Sequence, residues 1–281
     1  MKENWSTVIK PKTGWFDINF RELWQYRDLI VMFIKRNFVS SYKQTILGPL
    51  WFVINPLLTS LMYTVVFGQI ARISTDGVPQ FLYYIAGNTA WAYFSTCLTS
   101  TSHTFTGNAH LFGKVYFPRL VSPISTVIYA MFSLIIQTVL MIIFMGYYIF
   151  IAHANVHPNI TLVFVPLMVL HMAVLGMGCG IIISSLTTKY RDLSVLVGFG
   201  VQLWMYATPI VYPLSAVPLG LEKVIRLNPM TPVVNNFKYA FLGSGSFEVD
   251  SWIISGAVSV VILMVGIVIF SKIEKTFMDT V

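Results

Sequence analysis

Leu120–Ala152 reads LVSPISTVIYAMFSLIIQTVLMIIFMGYYIFIA and contains no Asp, Glu, Lys or Arg. About 20 apolar residues in a helix cross the roughly 30 Å of bilayer hydrocarbon, so this run is long enough to span. Five more charge-free runs flank it, at 46–70, 81–102, 160–186, 193–212 and 252–271. Over the whole chain 56% of residues are hydrophobic and 10% charged, whereas a soluble domain carries about 25% charged residues. The expected fold class is therefore an all-α integral membrane protein with six transmembrane helices.

Six crossings put both termini on one side, and the basic residues decide which. Eight Lys/Arg precede the first run; Lys114, Arg119, Lys189, Arg191, Lys272 and Lys275 bring that face to fourteen. The other face holds Arg72, Lys223, Arg226 and Lys238. Once the acids are counted, the first face carries the whole net charge of +7. Positive loops stay in the cytoplasm, so both termini are expected there, in a multi-pass protein of the inner membrane. The first 45 residues have no apolar core of signal-peptide kind, and the N-terminus is expected to be retained. Cys97 and Cys179 lie inside apolar runs and suggest no disulfide framework.

The segments between the runs are short and individual. Residues 1–45 form a cytoplasmic segment ahead of a single transmembrane domain, 46–281. In FRELWQYRDLIVMFIKRNF, Phe20, Leu23, Trp24, Ile30, Val31, Ile34 and Phe38 recur at helical spacing, as in an amphipathic helix lying in the membrane interface. A plain membrane anchor would read the same way. The first run contains Asn55-Pro56, which predicts a kinked helix packed among others. Gly176, Gly178 and Gly180, and then Gly198 and Gly200, predict close helix packing. The stretch 213–251 is too apolar for a solvated loop, and each half is too short to cross. Asn228, Pro229, Thr231 and Pro232 split it, which fits two half-helices, 214–227 and 230–242, re-entering as a gate region at 214–247. A pair of surface helices fits the same pattern.

Several chemistries are absent. No run carries an Asp, Glu, Lys or Arg, whereas gradient-driven carriers usually keep an ionisable residue at depth. A lone His171 is better read as a packing hydrogen bond. His153 and His157 have metal-like i, i+4 spacing, but Pro158 follows and no acid or cysteine stands near. No loop pairs carboxylates with enough chain to build a catalytic pocket. The basic segment GNAHLFGKVYFPRLVSP, Gly107–Pro123, nearly spells a nucleotide loop. It has five residues where four are needed, and Val115 where Ser or Thr would hold magnesium. The chain is expected to have no cofactor and no ATPase of its own, and to bind no nucleic acid.

Five motifs carry a family likeness: SYKQTILGPLWFVINPLL (from Ser41), GKVYFPRLVSP (from Gly113), KYRDL (from Lys189), TPIVYPLSAVP (from Thr208) and NPMTPVVNNFKYAFLG (from Asn228). In order and spacing they resemble the membrane subunit of bacterial ABC type-2 polysaccharide exporters, the translocators of O-antigen, capsule and teichoic acid. The resemblance implies a homodimer working with two copies of a separate ATPase, which binds ATP and Mg, and a lipid-linked polysaccharide as substrate. It also implies a cytoplasmic coupling helix at about 108–117, with His110, Leu111, Phe112 and Lys114 touching the ATPase. Without a charge at depth to harvest a gradient, an external motor is the energy source left open. An ABC type-2 exporter of small drugs or lipids, or a passive channel, is the competing reading.

The second run, FLYYIAGNTAWAYFSTCLTSTS, mixes aromatics with hydroxyls and amides. Tyr84, Asn88, Trp91 and Ser95 fall near one helical face, with Tyr83 and Phe94 beside it. Hydroxyl and amide groups exchange hydrogen bonds with sugars, and aromatic faces stack on pyranose rings. The pattern alone equally describes interfacial aromatics with helix-packing hydrogen bonds. The family likeness favours a conduit lined by these six residues.

Overall fold

The computed structural model describes residues 20–43, 45–112, 114–115, 117–188, 190 and 192–280. The first nineteen residues of the N-terminal segment lie outside them, as do Gly113 and Tyr116 of the segment expected at 108–117. Among the described residues every regular element is a helix.

α1 (Phe20–Gln25) and α2 (Arg27–Tyr42) replace the single interfacial helix expected from Phe20 to Phe38; the chain breaks at Tyr26. The expected stripe proves to be two. Phe33 is buried, with Tyr26, Leu29 and Ile30 packed beside it, while Trp24, Val31, Met32 and Val39 face outward. One apolar face binds protein, and the other is free for lipid.

α3 (Trp51–Tyr63) follows a 3-10 turn at Gly48–Leu50 and continues as a π-helical turn, Thr64–Ile70. Pro56 lies inside α3 and is buried among neighbours, and the helix runs without a break from Trp51 to Tyr63. α4 (Gln80–Ser102) leads directly into the nine-residue α5 (Thr104–Phe112). Then come α6 (Val121–Phe150), α7 (Val165–Thr187) after a 3-10 turn at Ile160–Phe164, and α8 (Leu193–Tyr206). α9 (Leu219–Leu227), α10 (Met230–Leu242) and α11 (Val249–Thr280) complete the order.

Four stretches are long and apolar enough to span: Gly48–Ile70, Val121–Phe150, Ile160–Thr187 and Val249–Ile273. α4 is long enough but less apolar, for a physical reason. Sixteen of its 23 residues are buried, against α3, α6, α7 and α10, so protein rather than lipid solvates it. The fifth expected run, 193–212, is helical only to Tyr206. Its 14 residues reach about 21 Å at 1.5 Å per residue, less than the hydrocarbon thickness.

The glycines sort by neighbour. A Cβ on Gly176 or Gly180 would come within 2.8 Å of Cys97 or 2.6 Å of Thr101 on α4, and one on Gly178 within 2.9 Å of the Leu263 backbone on α11. These three let α7 lie close to both helices. Gly198 and Gly200 differ from expectation: nothing lies within 4 Å of a Cβ at either, and no residue of α8 is buried. α8 packs on α4 and α7 along one side and leaves the rest of its surface exposed.

Candidate functional site

At the end of the bundle away from α5, the gate segment differs from the expected pair of half-helices in its first half. Only a 3-10 turn, Leu214–Ala216, and the short α9 occupy 214–227. α9 leaves Leu221, Val224 and Leu227 exposed, whereas α10 is buried along most of its length. The turn between them is fixed by Asn228. Its Oδ1 accepts from Trp204 Nε1 at 2.8 Å and from the Met230 amide at 3.0 Å. Its Nδ2 donates to Thr208 Oγ1 at 2.8 Å and to the Ala207 carbonyl at 3.1 Å. Asn228 thus satisfies backbone freed where α8 stops early.

Ser255 donates to the Pro229 carbonyl, and Thr231 to the Ile225 carbonyl at 2.6 Å. Ser255 is six residues into α11, so the turn lies about 9 Å inside that helix's near end. Thr231 and Pro232 are buried, and Asn228 and Pro229 half-buried. At its other end α10 is pinned by a loop: the His157 and Asn159 amides donate to the Leu242 and Ala240 carbonyls. His171 is a packing group. Trp252 Nε1 donates to its Nδ1 at 3.1 Å, and Ser259 Oγ lies 2.8 Å from its Nε2.

Sequence reasoning counted Lys238 among the loop charges, and the structure corrects this. The side chain is fully enclosed in α10, with Nζ donating to the Pro209 and Ile210 carbonyls at 2.7 and 2.8 Å and standing 3.7 Å over the Tyr83 ring. Gly87 makes room for it, since a Cβ there would meet Lys238 Cε at 2.8 Å. The available signal was a lone lysine inside the apolar run VVNNFKYAFL. Nearby, Ser215 donates to Asp76 at 2.9 Å, and Arg226 bridges Glu222 and Glu248 at 2.8 and 2.6 Å.

The six conduit candidates do not surround an opening within the subunit. Tyr83, Tyr84, Asn88, Trp91 and Phe94 are buried, and Ser95 is half-buried. Tyr84 packs edge-on to Tyr63 of α3 at 6.4 Å; Trp91 and Phe94 pack on Trp204 of α8 at 6.4 and 5.1 Å. These residues stand behind α3 and α8. The hydroxyls of α4 turn back on their own helix, with Thr89 donating to Ile85, Ser95 to Ala92 and Thr99 to Ser95. Of the six, Tyr83 borders the cavity at this end.

At the opposite end, the short helix lies earlier than the expected 108–117, at Thr104–Phe112. Phe112 is buried against Phe105 and Phe117 and is not a surface contact; Leu111 is half-buried, and His110, Lys114 and Val115 are exposed. Arg119 lies under the same rings, 5.4 Å from Phe112. Asn108 joins three elements: its Nδ2 donates to Ser122 Oγ at 3.0 Å and to the Thr104 carbonyl, and its Oδ1 accepts from Arg36 of α2 at 3.1 Å.

A helical bundle with four stretches long and apolar enough to cross a membrane is the architecture of a multi-pass membrane protein. A model of the ABC-2 type transporter family matches residues 28–242. The chain belongs to that family and is a multi-pass membrane component of an ABC-2 transporter. It is similar to the O-antigen export system permease protein RfbA of Klebsiella pneumoniae, 28% identical over 90% of this chain and 94% of that protein. The protein of the same name from Myxococcus xanthus is also 28% identical, over 93% of this chain and 98% of its own length.

Proposed function

We propose that this chain is the permease subunit of an ATP-driven exporter that moves a lipid-linked polysaccharide, of O-antigen, capsule or teichoic-acid kind, out across the bacterial inner membrane. One observation carries the substrate class: relatives aligned over nearly their whole length are named as O-antigen export permeases. Two copies of the chain pair with two copies of an ABC ATPase, which binds the ATP and Mg.

The α5 end, bearing the excess of Lys and Arg, is cytoplasmic, and both termini lie on that side. α3, α4, α6, α7 and α11, with α8 and the turn residues that follow it to Tyr212, make the six crossings. The exposed part of the coupling helix, His110 and Leu111 with Lys114 after it, meets the ATPase, while Phe112 braces it from behind. α9 and α10 form the outer gate, with Asn228, Pro229, Thr231 and Pro232 at its tip. The conduit runs between two copies along the unpartnered faces of α3 and α8. Tyr84, Trp91 and Phe94 back that wall and hold Tyr63 and Trp204 in place, with Asn88 and Ser95 on the same side of α4.

Deleting the gene in its native host should remove the surface polysaccharide and leave the lipid-linked form inside. Restoring the wild-type chain should reverse both effects. Leu111→Asp with Lys114→Glu should reach the membrane at normal levels yet fail to restore export. Normal surface polysaccharide in the deletion strain would sink the reading; loss of small-molecule efflux in its place would favour an exporter of drugs or lipids.

A further inference from the structure

The outer end of the subunit holds a cavity of about 470 Å³ between the start of α4, α10 and the loops around 213–218 and 244–248. That volume is within the roughly 300–1,000 Å³ of small-molecule pockets. Its wall is mixed: Asp76, Tyr83, Asn235, Lys238, Ser244 and Glu248 border it together with Pro213, Leu214, Val217 and Pro218. Tyr83 decides what the cavity is for. The side chain is only 2% exposed, and no side-chain hydrogen bond among the described residues holds its hydroxyl. Tyr83 borders the cavity, so its hydroxyl is open to a ligand there.

The charges select the ligand. Arg226 is held by Glu222 and Glu248, and the Lys238 ammonium by two carbonyls and the Tyr83 ring. Both cations are therefore occupied, and so are Glu222 and Glu248, which hold Arg226; Asp76, accepting from Ser215, is the third carboxylate on the space. Neither cation is free to take an anion. A neutral ligand rich in hydroxyls can donate to Asp76 and exchange hydrogen bonds with Tyr83, Asn235 and Ser244.

The position points the same way. Val217 and Pro218 border both this cavity and a groove of about 600 Å³ whose other wall includes Arg72, Tyr206 and Tyr212, at the ends of α3 and α8. A single segment, tied by Ser215–Asp76 and Arg226–Glu248, separates the cavity from the proposed path of the glycan.

We propose that this cavity is a saccharide subsite that takes one neutral sugar unit of the emerging chain; this rests on the exporter reading and gives its outer end a chemistry. The test places Ser246→Cys, on the exposed rim of the cavity, in the full chain with Cys97→Ser and Cys179→Ser, expressed with its partners in spheroplasts. The rate of labelling by an impermeant maleimide is measured with mannose, galactose or N-acetylglucosamine, and separately with glucuronate or inorganic phosphate. At least one neutral pyranose should slow labelling severalfold, and the anions should not. Tyr83→Phe, with Asn235→Ala as a second variant, should weaken the protecting sugar about fivefold, the scale of one hydrogen bond. No protection by any neutral sugar, protection by the anions alone, or protection untouched by both variants overturns the subsite. Surface polysaccharide is assayed on the same cells. Export without protection sinks the subsite and leaves the exporter standing, whereas loss of export from the wild-type chain sinks both.

Discussion

Asn228 uses its entire hydrogen-bonding capacity, two acceptances and two donations, to bind the turn between α9 and α10 to the end of α8. Asn228→Ala strips the Trp204 indole and the Ala207 carbonyl of these bonds together. The expected loss is about 2–4 kcal/mol, from several hydrogen bonds at roughly 1 kcal/mol each plus groups left unsatisfied. Thermal unfolding in detergent should show it, and Asn228→Asp should do no better, because it removes both donors. A wild-type melting curve would mean that backbone packing alone holds the turn. Lys238 offers a sharper contrast. Replacing a buried charge with an apolar group of similar volume is often neutral, but here the ammonium satisfies two carbonyls beyond the end of α8. Lys238→Met should therefore destabilise by about 1–3 kcal/mol and raise amide exchange across 210–214. Unchanged exchange there would show that those carbonyls do not depend on Lys238. The sequence announced the Asn-Pro break at 228, but gave no hint that its side chain would meet Trp204, 24 residues earlier. Such a pairing is set by where α8 stops.

At the scale of elements, periodicity located the helices but not their partners. Tyr84, Asn88, Trp91 and Ser95 recur with the same spacing whether a helix lines a pore or is wrapped by neighbours. The outcome is decided by α3 and α8, which stand in front of α4. The boundary of α5 was blurred for a related reason: the run from Thr104 continues the pattern of α4, and only the break at His103 divides them. Its clamp was not legible at all, because Arg36 and Asn108 are 72 residues apart. That clamp makes a measurable claim. If Arg36 and Asn108 act through their shared hydrogen bond, Arg36→Ala and Asn108→Ala should each destabilise the chain, and the pair together should cost less than their sum. A coupling near 1 kcal/mol in a double-mutant cycle is expected, the scale of one partly exposed, charge-assisted bond. Strict additivity would detach α2 from α5 energetically, leaving the ring contact between Phe33 and Phe117 to join them.

For the whole molecule, composition and charge-free runs made the helical membrane class legible, and the motif order made the family legible. What no single chain spells out is how its outward apolar surface divides between lipid and a second copy. α6 and α8 both expose large side chains, Ile143 at 62% and Phe199 at 61%, so exposure alone cannot separate them. Glycine can. Gly198 and Gly200 flank Phe199 with open space beyond, and small residues let two helices approach closely where lipid offers no advantage to side-chain bulk. A two-fold axis beside α8 would bring the same patch of two subunits together. Phe199→Cys, with Cys97 and Cys179 replaced by Ser, should then form a disulfide-linked dimer on mild oxidation in native membranes. Ile143→Cys, on α6, should stay monomeric. Adding Gly198→Leu should abolish the Phe199→Cys cross-link by holding the helices apart. Its expression level should not change, because no neighbour in the same subunit is touched. Should Ile143→Cys cross-link while Phe199→Cys does not, the two copies meet through α6, and α8 is a lipid-facing helix.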